Sequence, residues 1–306
     1  MLISVVATLY HSSMYLDEFY RRATLTVTKL TDDYEIILVN DGSPDDSLER
    51  AIKICETDPK VCVIDLARNF GEHKAIMTGL AHTRGEYVFL VESDLEEEPE
   101  WLLSFSEQIH RDRCDVVYGV QTRRKGGFFE RWSGLLFYRL FRLLTRLDMP
   151  ENMVTARLMS RRYVDALLRF EESEMYLLGI WHIAGFDQRP QAVRKHSTSK
   201  STYTLALKFA MAVNAITSFS NAPLVGIFYI GAIISAIALV CAVYLTLNWL
   251  ILSEPVTGWT STVLSIWLIG GMTIAFIGVV GIYLSKVFSE TKHRPMTIIR
   301  QVYGRK

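Results

Sequence analysis

Neither sign of charge prevails in this sequence: its 306 residues carry 33 Lys and Arg against 33 Asp and Glu. That balance leaves no electrostatic footprint for a nucleic-acid partner or a strongly acidic target. Cysteine is scarce too. The four present, Cys55, Cys62, Cys114 and Cys241, follow no paired or metal-ligand spacing, which fits a reducing compartment and ordinary buried thiols. A basic region followed by a cleavage site is missing from the start of the chain, so no signal peptide is expected. Charge is also missing from long stretches near the other end, and they account for a mean hydropathy of +0.18.

Between Leu224 and Leu252 the chain is almost wholly apolar and uncharged, and a second such run extends from Thr262 to Leu284. Crossing the hydrocarbon core of a bilayer takes about 20 apolar residues, so both runs are expected to span. The connecting segment holds Glu254 and no Lys or Arg, whereas Lys195, Lys200 and Lys208 precede the pair and Lys286, Lys292, Arg294 and Arg300 follow it. The positive-inside bias then puts both termini in the cytoplasm. The bulk of the chain is expected on the inner face of the cytoplasmic membrane, tethered by a two-helix hairpin with Trp249 and Trp259 in the aromatic belt. Phe128–Leu147 is a different membrane element. At helical spacing Arg131, Arg139, Arg142 and Arg146 share one face, opposite Trp132, Leu136, Leu140, Leu143 and Leu147. Such a helix either lies in the headgroup plane or packs on a globular core.

The first 125 residues read differently. Strand-like runs at Ile3–Leu9, Glu35–Asn40, Val61–Leu66, Tyr87–Val91 and Val116–Val120 alternate with helical segments near Met14–Lys29, Asp46–Glu56, Glu72–Thr83 and Pro99–Arg111. This predicts an α/β fold with a mostly parallel sheet covered on both faces. Ligands of such sheets bind beyond the carboxyl ends of the strands, and three of those ends carry chemistry. The second strand runs into Asn40-Asp41-Gly42-Ser43-Pro44-Asp45-Asp46. There Asp41 can accept from a base or from ribose hydroxyls, Gly42 permits a sharp turn, and Ser43 or Asp45 can instead cap the next helix. The third runs into Arg68-Asn69-Phe70-Gly71, a cation for a phosphate or base edge and a glycine that lets backbone approach a ligand. The fourth ends in Glu92-Ser93-Asp94-Leu95-Glu96-Glu97-Glu98. On an extended backbone Glu92, Asp94 and Glu96 point to one side. Oxygen-rich sites of that kind hold Mg²⁺ or Mn²⁺; a solvated acidic run is the alternative.

In this order and spacing, Asn40–Asp45, Arg68–Gly71 and Glu92–Asp94 followed by Leu95 and Pro99-Glu100 resemble family 2 glycosyltransferases with a GT-A fold. The resemblance continues through Asp115–Gly119, Arg157–Arg162, Ser218–Leu224 and both apolar runs, which is nearly the whole chain. It is similar to the polyprenyl-phosphate branch, with its dolichol-phosphate mannose synthases and bacterial undecaprenyl-phosphate glucosyltransferases of O-antigen modification. The expected divisions are a nucleotide-sugar-binding half (1–125), an acceptor-side half with the interfacial helix (126–203), a juxtamembrane helix (204–221), two spans (222–288) and a basic tail (289–306).

The resemblance implies a nucleotide-sugar donor held by Thr8, Tyr10, Asp41, Gly42, Ser43, Arg68, Asn69, Gly71 and Asp94, and Mg²⁺ or Mn²⁺ on Glu92, Asp94 and Glu96. It implies a polyprenyl phosphate met by Arg123, Arg124, Arg131, Lys200, Ser201 and Tyr203, with Asp94, Arg131 and Arg157 as the catalytic residues. The chain departs from the family at Glu92, where Asp is usual, and at Glu96, often Gln. It has Ala7-Thr8-Leu9-Tyr10-His11-Ser12 where Pro-x-Tyr-Asn-Glu is common, and Thr155-Ala156 near where many relatives carry Asp.

The implied reaction is a single, inverting attack of a lipid phosphate oxygen on the anomeric carbon, with UDP-glucose and undecaprenyl phosphate as the first expectation. A phosphate monoester is largely dianionic near neutral pH, so no general base is demanded. The alternatives are an inactive membrane scaffold and a processive polysaccharide synthase. The latter carries a Gln-x-x-Arg-Trp motif, where this chain has Phe128 before Arg131-Trp132. No nucleic-acid partner is expected, and a homo-oligomer is left open.

Overall fold

A computed structural model describes residues 1–121, 143–144, 152–172, 176–195, 213, 216–217, 220–252 and 258–304. The first half follows the predicted alternation: β1 (Ile3–Leu9), α1 (Ser13–Val27), β2 (Tyr34–Asn40), α2 (Ser47–Thr57), β3 (Val61–Leu66), α3 (Glu72–Ala81), β4 (Tyr87–Leu90), α4 (Trp101–Asp112) and β5 (Val116–Gln121). Then come β6 (Met153–Ser160), α5 (Arg161–Leu167), α6 (Leu177–Ile183), β7 (Gln188–Val193), α7 (Ala222–Leu252), α8 (Trp259–Thr291) and β8 (Ile299–Tyr303). Strands β2 and β3 are buried along their whole length, as are nearly all residues of β1. That is why they read as continuous β-branched and apolar runs rather than alternating ones.

All eight strands form one sheet, ordered β7-β5-β6-β4-β1-β2-β3-β8. β1 pairs parallel with β2 and β4, β2 with β3, and β5 with β7, while β6 and β8 run against their neighbours. The carboxyl ends of β1 to β5 and β7 therefore share one edge of the sheet, and the first residues of β6 and β8 arrive at that same edge. The stretch expected as a basic tail thus supplies an edge strand. Its pairing is short-range in space but lies more than two hundred residues away in sequence, beyond the reach of any local pattern.

The chain divides into two units, Met1–Tyr138 with Asp148–Tyr203 and Arg294–Lys306, and Arg139–Leu147 with Thr204–His293. The second contains α7 and α8. Ser265–Thr291, with hydropathy 2.1 and none of it buried, is the one stretch among the described residues long and apolar enough to cross a membrane by length and composition. The apolar stretch found in α7, Ala222–Ala238, is shorter. Within this unit the Tyr283 hydroxyl donates to the Ser220 carbonyl over 2.6 Å, and the Ser220 hydroxyl donates to the carbonyl of Leu144. The rest of the predicted Phe128–Leu147 helix lies outside the described residues.

Candidate active site

A cavity of about 410 Å³ opens at the carboxyl edge, lined by Thr8, Tyr10 and Ser12 after β1, Asp41 after β2, Asn69, Gly71 and Glu72 after β3, and Glu92, Ser93 and Asp94 after β4. Its floor is fixed by hydrogen bonds between strand ends. The Ser93 hydroxyl donates to the Thr8 carbonyl at 2.7 Å and lies 2.8 Å from the Ser12 hydroxyl, so the ends of β1 and β4 hold each other.

Asp41 is 2 % exposed and takes the Phe70 N–H on one oxygen (2.7 Å) and the Gly71 N–H on the other (3.0 Å). Burial pushes its carboxyl up, against the pull of those two N–H groups and of Arg68. The two glycine-bearing turns are thereby latched together. Gly42 has φ +61°, and a Cβ there would stand 2.5 Å from the Asn69 nitrogen, so only glycine fits. Ser43 and Asp45 hold the turn itself. Asp45 accepts the Ser43 and Ser47 hydroxyls (2.5 Å each) and the Ser13 and Ser47 N–H groups. Those bonds outweigh desolvation and bring its pKa down to about 2. Of the residues expected at the donor, Thr8, Tyr10, Asp41, Asn69, Gly71 and Asp94 line this cavity. Gly42 and Ser43 shape the wall behind it, and the exposed Arg68 lays its guanidinium 4.4 Å from the Phe70 ring.

The acidic segment departs from the alternation expected of it. β4 ends at Leu90, and Leu95 takes φ +61°, which breaks the extended backbone after Asp94. Glu92 and Asp94 face the cavity, whereas the Glu96 N–H turns back to the Asp94 carboxylate at 2.9 Å. Glu92 receives the Thr155 hydroxyl at 2.8 Å and the Lys195 ammonium at 2.7 Å. Lys195 lies 3.6 Å from both Glu96 and Glu97. Glu97 is wholly buried and takes the Thr155 N–H at 3.0 Å. Burial and the neighbouring Glu92 push its carboxyl well up, while Glu92 and Glu97 hold the Lys195 ammonium protonated far above the usual range despite its burial. Burial and then Glu92 also raise Asp94, and the same two causes bring Glu72 up to about 7.

A second cavity of about 200 Å³ adjoins the first through Glu72 and Glu92, with Lys195, Thr155, Gln121, His73 and Trp181 on its wall. Arg157 is fully buried behind Trp181, its guanidinium 3.0 Å from the ring centre, and burial pulls its pKa down to about 9. It donates to the Thr155 carbonyl at 3.2 Å and lines neither cavity. Arg123, Arg124, Arg131, Lys200, Ser201 and Tyr203 lie outside the described residues.

Four carboxylates, Asp41, Glu72, Glu92 and Asp94, thus share one cavity. Among the described residues no three His, Cys, Asp or Glu side chains converge as a ready-made metal cage. Burial is the first cause of each raised carboxyl, and Lys195 already answers Glu92, Glu96 and Glu97, which leaves Asp94 and Glu72 on the cavity wall without a cation within salt-bridge distance among the described residues. Mg²⁺ and Mn²⁺ suit such oxygen donors, and Mg²⁺ commonly binds through one or two carboxylates plus substrate phosphates and water. Glu72, Glu97 and Lys195 were not among the residues expected from sequence. Glu72 directly follows the Arg68–Gly71 turn, and Lys195 follows β7, a strand that its exposed, mixed composition hid; the carboxyl-edge rule applied to that strand end would have found it.

The model of the family Glycosyl transferase family 2 matches residues 4–168. Over 304 residues the chain is 48% identical to a glycosyltransferase of Mycobacterium tuberculosis, covering 99% of this chain and 89% of that one. It is 31% identical over 304 residues to the glycosyltransferase YkcC of Bacillus subtilis, covering 98% and 94% of the two chains. It is 28% identical over 305 residues to a prophage bactoprenol glucosyl transferase homolog of Escherichia coli, covering 99% of each.

Proposed function

Because the chain belongs to glycosyl transferase family 2, we propose that it transfers a hexose from a nucleotide-sugar to a polyprenyl phosphate, with UDP-glucose as donor and undecaprenyl phosphate as acceptor. The observation that carries this is the acidic cavity at the carboxyl edge, where Asp41 and the Asn69–Gly71 turn face Glu92 and Asp94. The bactoprenol glucosyl transferases, similar along their whole length, support the lipid acceptor. α7 and α8 would be the two spans, with the sheet and both termini on the cytoplasmic side.

In this reading Asp41 holds the base and the Asn69–Gly71 turn lies along the nucleotide. Asp94, with Glu92, would hold Mg²⁺ or Mn²⁺ against the diphosphate, and the ion would neutralise the departing nucleoside diphosphate. Glu72 stands where the cavities meet and would accept hydroxyls of the sugar. The acceptor phosphate carries its own nucleophilic oxygen, so Thr155, near where many relatives carry Asp, serves to orient Glu92 rather than to take a proton. Arg123, Arg124, Arg131, Lys200, Ser201 and Tyr203 are proposed to screen the incoming phosphate, since arginine forks pair phosphate oxygens bidentately.

The test is transfer of labelled sugar into undecaprenyl phosphate from a panel of UDP- and GDP-sugars with Mg²⁺ or Mn²⁺, alongside Asp94→Asn. Labelled lipid that disappears with EDTA and in the variant is the expected result. A folded wild-type chain that makes no lipid product from any donor would remove the proposal and favour the scaffold.

A further inference from the structure

β8 joins the sheet beside β3 with an irregular register: Asp65 stands opposite Gln301 and Leu66 opposite Ile299, which leaves Arg300 as the extra residue of a bulge. Bulges re-aim a side chain, and they are over-represented next to active sites. Here the guanidinium turns back across the edge of the sheet. Its Nη1 lies 3.2 Å from the Asp65 carboxylate, and its Nη2 donates to the Ala67 carbonyl at 2.7 Å.

Asp65 is 1 % exposed near the carboxyl end of a buried strand. Its other oxygen receives the Asn40 side-chain amide at 2.8 Å, and the Asn40 oxygen in turn receives the Ser43 N–H at 3.2 Å. One chain of hydrogen bonds therefore runs from Arg300 through β3 and β2 into the turn that carries Asp41 and Gly42. A second grip acts on the other turn. Ala67, immediately before Arg68-Asn69-Phe70-Gly71, is held on its carbonyl by Arg300 and on its N–H by the Ile298 carbonyl at 2.8 Å. Covering a sheet edge needs only a strand. A buried carboxylate placed to receive the arginine is costly without that partner and does more than cover an edge.

We propose that Arg300, carried by the C-terminal strand, is a positioning residue that sets the two turns bracketing the nucleotide cavity, so that the segment after α8 governs donor affinity. The proposal rests on the Asp41–Gly71 cavity being the donor site. In the full-length protein, Arg300→Ala, Arg300→Lys and Asp65→Asn are compared by titration with UDP and GDP in the presence of Mn²⁺, and by amide hydrogen exchange in the 40–43 and 67–71 turns. Arg300→Ala is expected to weaken the nucleotide that wild type binds by about tenfold and to speed exchange in both turns. The same variant should leave kcat at saturating donor within about twofold of wild type, since the arginine is remote from the reacting atoms. Arg300→Lys keeps the charge beside Asp65 but not the second donor, and should recover part of the loss; Asp65→Asn should fall between wild type and Arg300→Ala. If Arg300→Ala does not fold, the other two variants carry the comparison. Folded variants with unchanged nucleotide affinity, or with unchanged exchange in the two turns, would overturn the proposal. A wild-type chain that binds neither nucleotide would remove the donor reading itself, a different result from unchanged exchange.

Discussion

Lys195 donates to Glu92 across 2.7 Å although 103 residues separate the two in sequence. The contact exists because β7 runs parallel to β5 and ends at the edge where β4 ends. It sets a cation among carboxylates that would otherwise repel one another. Lys195→Met keeps the aliphatic stem and removes the charge. The expected outcome is a loss of about 3 kcal/mol in urea unfolding, the scale for breaking a desolvated ion pair, together with tighter Mn²⁺ binding by the more negative cavity. Unchanged stability and unchanged Mn²⁺ affinity would show that the ammonium balances nothing there.

Glu72 makes stability depend on pH. Burial first, then Glu92, lift its carboxyl from the ordinary 4.5 to about 7. The folded state therefore keeps a proton that the unfolded chain has released between those values, so stability must fall as pH rises through that window and level off above it. Glu72 is exposed at the rim of the cavity, so solvent screening holds the effect to about 1 kcal/mol or less. Urea midpoints measured near pH 5 and near pH 8 should differ in that sense, and Glu72→Gln should flatten the difference. An equally steep profile in the variant would assign the slope elsewhere.

Gly42→Ala should cost at least about 2 kcal/mol, because the left-handed backbone is strained for a residue with a Cβ and the new carbon meets the Asn69 backbone at 2.5 Å. The turn would have to move away from Asp41's partners, so nucleotide affinity should fall along with the thermal midpoint. A stable variant with normal nucleotide binding would mean that the two turns are not packed together.

Thr155→Asp introduces the residue type that many relatives carry nearby. Here the Thr155 hydroxyl serves Glu92 and its N–H serves Glu97, so a carboxylate would face two others. Lower activity and lower stability are expected than in the wild type, measured by lipid glycosylation and urea unfolding. A gain in rate would instead point to a general base that the present site does without.

How much of this was legible in the sequence follows from how local each feature is. β1 to β5 and α1 to α4 lie within a few residues of their predicted positions, because buried parallel strands and amphipathic helices write their burial into periodicity. Asp41, Asn69, Gly71 and Asp94 were legible because strand-end turns are short and their residue types are restricted. β6, β7 and β8 give weak patterns: β7 and β8 have exposed or mixed faces, and β6, though largely buried, interrupts its apolar run with Thr155 and Arg157. The expected alternation of Glu92, Asp94 and Glu96 fails for a local reason also: the backbone is not extended there, because Leu95 turns it.

The sequence by itself determined the family, the α/β order of the first half, the glycine-bearing turns and the long apolar runs near the C-terminus, all of which depend on neighbours along the chain. Only the tertiary structure decided that Lys195 sits among Glu92, Glu96 and Glu97, that Arg157 is buried against Trp181, and that Arg300 reaches Asp65 from the opposite end of the chain. Those placements follow from strand order, and strand order is settled by which buried faces and charges can be satisfied together across the whole sheet, a condition that no single stretch of sequence expresses.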